Sequence, residues 1–314
     1  MFCVDIFDVT ALRRLDPSIE LILCGENGYS DWVRVVIDIA SHVVDHVSIH
    51  NFTFSDDPLQ NSTAPLIGEH GIRIAGSLID MAFTQNTDRE VLSLSGKRPR
   101  ICFNEWNVWD MKRWPGEQGS EQVYTLSDAL GVAVWLNTFV RNAAVVSIAS
   151  PAQSVNAISA LHVHKDGLLR HATYPIFRLF ANYMRGMALD LHVAADVYEG
   201  PTDPAWLQQS RKIPYLDAAG TMDPQTATVN VALVNRASQE RRLLLKTLDM
   251  IPQFKPFQRW EVVAKELSSS NSLDCPGAVE AVDRGSFDSR CVLLPNNSVT
   301  LLRWRYPIGD GNPK

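Results

Sequence analysis

Along residues 19 to 186, short β-rich runs alternate with longer segments whose apolar positions recur three and four apart. The run IELILCG (19–25) leads to a segment opening at Ser30, a residue type suited to capping a helix. Trp32, Val35, Val36, Ile39 and Val43 lie along one predicted face of that helix. VSIHNF (47–52) leads through the polar stretch SDDPLQNSTAP to a helix predicted around Ile72 to Gln85. ICFNE (101–105) leads to LSDALGVAVWLNTFVRN, in which Val132, Trp135, Leu136 and Phe139 form an apolar stripe. VVSIASPAQ (145–153) precedes a last helix, roughly Tyr174 to Arg185. Four strand–helix units in series predict a parallel sheet.

The pattern changes near residue 187. From there the β-rich runs ATVNVALVN (227–235), RRLLLKTL (241–248), RWEVVAKEL (259–267) and SVTLLRWRY (298–306) are separated by turn-rich pieces, which predicts an antiparallel sandwich. The expected fold class is α/β plus all-β, with an α/β domain over 1–188 and a β-sandwich domain over 189–314.

Composition narrows the function classes. With 314 residues and 46% hydrophobic content the chain has ample material for a core. A net charge of −6 supplies no basic stripe, so nucleic acid is not an expected partner. No apolar run approaches the roughly 20 residues of a membrane span. The opening MFCVDIFDVTALRRLD lacks a basic leader followed by an apolar core, so no secretory signal is read there; the location is left open, with cytoplasmic favoured over secreted. Five cysteines without C-x-x-C spacing argue against a disulfide framework or a zinc site. Cys24 and Cys102 are expected as buried thiols, and Cys275 with Cys291 as the one conceivable disulfide; Cys3 completes the set.

Candidate chemistry concentrates in ICFNEWNVWD (101–110). An apolar strand ending in Asn104, Glu105, Trp106 and Asn107 projects polar groups where a parallel sheet opens toward ligand, and aromatic faces beside a carboxylate and amides suit a sugar. The blander reading is a strand terminus with one solvated acid. His42, His46 and His50 are spaced by four, but His50 falls in the following strand run, which breaks the geometry of a metal face. His162 and His164 alternate on an extended segment and read as loop residues. No G-x-G-x-x-G follows a strand, and neither a Walker loop nor a G-x-S-x-G elbow occurs. The sequons at Asn51, Asn61 and Asn296 read as chance matches.

The strings CGENGYSDWVRVV (24–36), VDHVSIHNF (44–52), ICFNEWNVWD, YTLSDALGVAVWLNTFVRNA (124–143), PAQSVNAIS (151–159) and YMRG (183–186) together resemble fungal α-L-arabinofuranosidases of glycoside hydrolase family 51. The resemblance implies a (β/α)8 barrel followed by a C-terminal β-sandwich, removal of terminal arabinofuranose from arabinan or arabinoxylan with retention, and no metal or organic cofactor. It identifies Glu105 as the nucleophile and maps the four units here onto barrel strands five to eight, a partial TIM barrel. It makes His50, Phe52, Asn104, Trp106, Trp109 and Gln153 candidate substrate-binding residues, Gln153 toward a sugar hydroxyl.

Two departures stand out. Phe52 occupies a position where the family usually has Tyr, which removes a hydroxyl donor. The family's acid/base glutamate, which follows an asparagine at the end of strand four, has no counterpart, since the chain is expected to begin just before strand five. Glu26 lies near the pocket rim but matches no catalytic position. The expected partner is an arabinose-containing polysaccharide or oligosaccharide, with a homo-oligomer as a further option. The competing readings are an inactive fragment that binds carbohydrate or a protein partner, and a small doubly wound enzyme with a β appendage.

Overall fold

The computed structural model describes residues 6–88, 97–110, 120–200, 212–245, 255–288 and 291–307. Cys3 and the end of the 241–248 run lie outside them. The chain forms two compact units that alternate along it. Met1–Phe52, Leu66–Asn107 and Asn142–Ala152 make one, and Thr53–Pro65, Val108–Arg141 and Gln153–Lys314 the other. The units interleave along the chain.

In the first unit, helices α1 (Ile6–Leu15), α2 (Asp31–Ala40) and α4 (Leu66–Asp88) accompany the strands β1 (Ile22–Leu23), β2 (His46–Thr53), β3 (Arg100–Val108) and β4 (Val146–Pro151). The short helix α3 (Pro58–Asn61) lies between α2 and α4 in sequence and belongs to the second unit. The strands form one sheet in the order β1-β2-β3-β4. β1 runs parallel to β2, and β3 to β4. Between β2 and β3 the Arg100 N–H donates to Asp45 O and the Trp109 N–H to Thr53 O, a parallel progression. A doubly wound enzyme needs a reversal of strand order to open its crevice, and this order has none; that reading is excluded.

Ser30 caps α2, its hydroxyl accepting from the Val33 N–H at 3.4 Å. The buried face of α2 is Val33, Val36, Ile37 and Ala40, a set spaced i, i+3, i+4, i+7, while Val35 and Ile39 are exposed. The expected face is thus corrected by part of a turn. Two residues after β1, a Cβ on Gly25 would sit 2.0 Å from the Ser48 carbonyl oxygen, so only glycine lets the chain pass this close to β2.

The second unit holds α5 (Leu126–Arg141), the hairpin β5 (Leu161–His164) and β6 (Gly167–Arg170), α6 (Tyr174–Tyr183), and the strands from β7 (Met187–Leu189) to β16 (Ser298–Arg305). Between them come β8 (Val197–Glu199), β9 (Lys212–Pro214), β10 (Leu216–Asp223), β11 (Thr228–Asn235), β12 (Arg241–Leu243), β13 (Lys255–Val263), β14 (Glu280–Asp283) and β15 (Val292–Leu294). An antiparallel sheet runs β14-β13-β16-β11-β10-β7, with β12 pairing β15.

Alternation along the strands divides this sheet into two buried faces. Leu216, Ala218, Val229, Val231, Leu233, Leu302 and Trp304 share a core with Val292 and Leu294 of the β12–β15 ribbon. The opposite face carries Asp217, which accepts from Asn137 Nδ2 at 2.7 Å and from Arg141 Nη1 at 3.0 Å, both on α5. α5 therefore packs on the sheet and is buried nearly all round, well beyond the stripe expected of it. Cys102 is buried as expected, whereas Cys24 is exposed and Cys275 and Cys291 are free and exposed, so the expected burial of Cys24 and the conceivable Cys275–Cys291 disulfide are both corrected. Among the described residues no helix is long and apolar enough to cross a membrane.

Candidate active site

β3 brings Glu105 to the surface by an irregularity in its own pairing. Phe103 pairs with Ala149 and Trp106 with Pro151, so three steps on β3 match two on β4 and the extra residue falls at Asn104–Glu105. In a regular strand these neighbours would point to opposite faces; here both are exposed, between the buried Phe103 and Trp106. A bulge of this kind re-aims side chains and is over-represented beside active sites.

The neighbouring strand ends are tied to β3 by main-chain and amide hydrogen bonds. The Ala152 N–H donates to Trp106 O at 3.1 Å and Asn107 Nδ2 to Ala152 O at 3.1 Å, holding the end of β4. The His50 N–H donates to Glu26 O at 2.7 Å, and Asn51 Nδ2 to Asn27 O at 3.2 Å, holding the segment after β1 against β2. β2 and β3 are neighbours in the sheet, so His50 and Glu105 stand on adjacent strands. His50 and Phe52, two residues apart on the same side of the pleat, are both half-buried.

This end of the sheet thus gathers His50, Phe52, Asn104 and Glu105, with exposed Glu26 at the end of the adjoining strand. Trp106 is only 1% exposed and is one of the largest fully buried side chains, so it is a core residue and not an open platform for a sugar ring. Trp109, half-buried, and Gln153, exposed, belong to the second unit. There the Trp109 N–H bonds Thr53 O, and the Gln153 N–H bonds Ile158 O at 2.9 Å. Asn107 and Asn51 are legible in the sequence only as amides near the strand ends; their tethering roles depend on carbonyls distant in sequence.

Three groups of the first unit are shifted toward their neutral forms. Burial, with the nearby Glu26 charge, pushes the Tyr29 phenol above its ordinary pKa. Burial and the Arg73 charge hold His70 below the usual imidazole range. Burial also raises the Cys102 thiol. Among the described residues no group of three or more His, Cys, Asp or Glu is placed to hold a metal ion.

Sequence and structure comparisons agree on kinship. The sequence model of the alpha-L-arabinofuranosidase C-terminal domain matches residues 104–298. The probable alpha-L-arabinofuranosidase C of Aspergillus clavatus is 38% identical over 309 residues, covering 94% of this chain and 59% of that protein. Alpha-L-arabinofuranosidase C of Emericella nidulans is 37% identical over 307 residues, with the same coverage. The chain thus spans about three-fifths of the curated relatives it matches. The family 51 alpha-L-arabinofuranosidase AbfB of Bifidobacterium longum superposes with a TM-score of 0.81 at 20% identity, over 95% of this chain and 62% of that one, a likeness of fold. By a domain match that takes in more than half of its length, the chain belongs to the alpha-L-arabinofuranosidase C-terminal domain family.

Proposed function

We propose that this chain is a catalytic polypeptide of a retaining, exo-acting α-L-arabinofuranosidase that works on arabinan and arabinoxylan side chains, with Glu105 as nucleophile. The observation that carries the reading is the bulge that exposes Asn104 and Glu105 together on a parallel strand, next to the strand that carries His50. In the first step a Glu105 carboxylate oxygen bonds the anomeric carbon, the bond to the leaving oxygen breaks, and a protonated carboxyl delivers its proton to that oxygen. In the second, water attacks the same carbon and gives its proton to the now ionised carboxyl, and the Glu105 ester bond breaks. Asn104 and His50 supply hydrogen bonds to the sugar or the carboxylate, while Phe52 presents a ring where a hydroxyl would serve the developing charge. Trp109 and Gln153 are further substrate-contact candidates. The proton donor in these steps is a second carboxyl, a role given to none of the candidate residues named above.

In this reading β1 to β4 are strands five to eight of a (β/α)8 barrel over residues 1–188, and residues 189–314 form the β-sandwich domain; the sequential parallel order of the four strands supports the barrel assignment. A homo-oligomer is a further option, to be read by size-exclusion chromatography. A second reading is a protein that binds arabinose-containing glycans without turnover. The deciding experiment measures hydrolysis of an aryl α-L-arabinofuranoside and binding of arabino-oligosaccharides by the wild-type chain and by Glu105→Gln. Turnover that the variant loses supports the nucleophile. Binding without turnover in both selects the second reading, and turnover retained by the variant sinks the assignment.

A further inference from the structure

A cavity of about 470 Å³ lies in the second unit, far along the chain from Glu105, between the end of α6, Gly186, the β10–β11 turn and β16. Its wall is built around a fixed cation. The Arg303 guanidinium lies 4.0 Å from the Tyr183 ring centroid and 5.0 Å from that of Phe257. Its Nε donates to Asn230 Oδ1 at 3.0 Å and its Nη1 to Gln258 Oε1 at 2.5 Å. Ring stacking and two amide acceptors hold this fork in place, while Nη2 has no protein partner among the described residues. Beside it in the lining is the exposed Arg185, whose Nε is bonded to Ala181 O at 2.7 Å and whose charge acts on Asp223. Gly186 permits the narrow wall: its φ is +89°, and a Cβ would sit 2.2 Å from the Met222 carbonyl oxygen.

The remaining lining is polar and includes one opposing charge. Asp223 carries a carboxylate held below its usual pKa by the Thr226 hydroxyl and local main-chain bonds, and Asn182 and Gln225 add exposed amides. Two arginines against one aspartate leave a single net positive charge. A dianion such as phosphate would meet Asp223 unfavourably, whereas a monoanionic polyol would place its carboxylate on the Arg303 and Arg185 forks and its hydroxyls on Asp223 and the amides. The volume falls in the range of small-ligand sites. We propose that this cavity is a binding subsite for a sugar carboxylate, a uronate unit of a glycan.

The inference goes beyond the hydrolytic reading and does not depend on it, because binding here is measured without turnover. The test is a titration of D-glucuronate into the 314-residue chain, followed by saturation-transfer NMR, with D-glucose as the neutral counterpart and inorganic phosphate as the simple anion. Saturable glucuronate binding that exceeds glucose and phosphate, and that weakens about tenfold or more in Arg303→Gln, is the expected result. Arg303 is packed between rings and its variant is checked for folding; the exposed-rim variant Arg185→Gln should fold normally and still weaken glucuronate severalfold. No saturable glucuronate binding, equal binding of glucose, preference for phosphate, or unchanged affinity in Arg185→Gln would each overturn the proposal.

Discussion

β11 and β4 show how differently the two units use their strands. β11 is buried at all eight positions, with the ribbon core on one face of its sheet and α5 on the other. β4 is buried at one of its six, and its neighbour β3 is interrupted by the bulge that exposes Asn104 and Glu105. A sheet covered on both faces collects hydrophobic stabilisation, whereas a sheet end with open polar positions presents chemistry. Stability should therefore be concentrated in the antiparallel unit and function in the parallel one.

The sharpest way to break that comparison is to set a core substitution against the site. Leu302 is fully buried in the ribbon core, so Leu302→Ala should cost about 2–5 kcal/mol in urea unfolding, while Glu105→Gln, at an exposed position, should stay within about 0.5 kcal/mol of wild type. A large loss from Glu105→Gln would make Glu105 structural. A pH series sharpens the same contrast. His171, 3% exposed in the second unit, packs edge-on to Tyr124 and near His162, and burial first, then the His162 charge, holds its pKa down to about 4. Its unfolded counterpart titrates near 6.5, so between the two values the unfolded chain binds the extra proton and stability falls as pH drops from about 6.5 to about 4. His171→Leu should flatten that slope in thermal melts; an unchanged slope would place the acid sensitivity elsewhere.

Smaller effects are expected within the parallel unit. Phe52→Tyr, beside His50 on β2, should raise arabinofuranoside turnover by an amount worth about 1–2 kcal/mol if its hydroxyl meets the charged or reacting group. A fall in kcat/KM would mean that the half-buried site has closed around the phenyl ring. Ser30→Ala removes the hydroxyl that caps α2 and should cost about 1 kcal/mol by chemical denaturation, with no change in turnover.

Much of the architecture is legible in the sequence because it depends on local order in the chain. Apolar runs with period two become β2, β3, β11 and β16, the 3.6-residue period becomes α2, α4 and α5, and the ICF run ahead of the NEW triplet becomes the part of β3 that leads to Glu105. Ser30 is readable as a cap because capping is a contact three residues long. What tertiary structure alone decides are the choices that depend on distant partners. The buried face of α2 shifts from Val35 and Ile39 to Val33 and Ile37 because the surface it meets, and not its own periodicity, selects which positions are covered. Trp106 reads as a sugar platform beside Glu105, yet the pleat turns it into the core. The bulge itself has no composition signal: one extra residue on β3 emerges only when β3 is paired with β4, and that pairing, settled about forty residues later in the chain, is what brings Asn104 and Glu105 to the surface together.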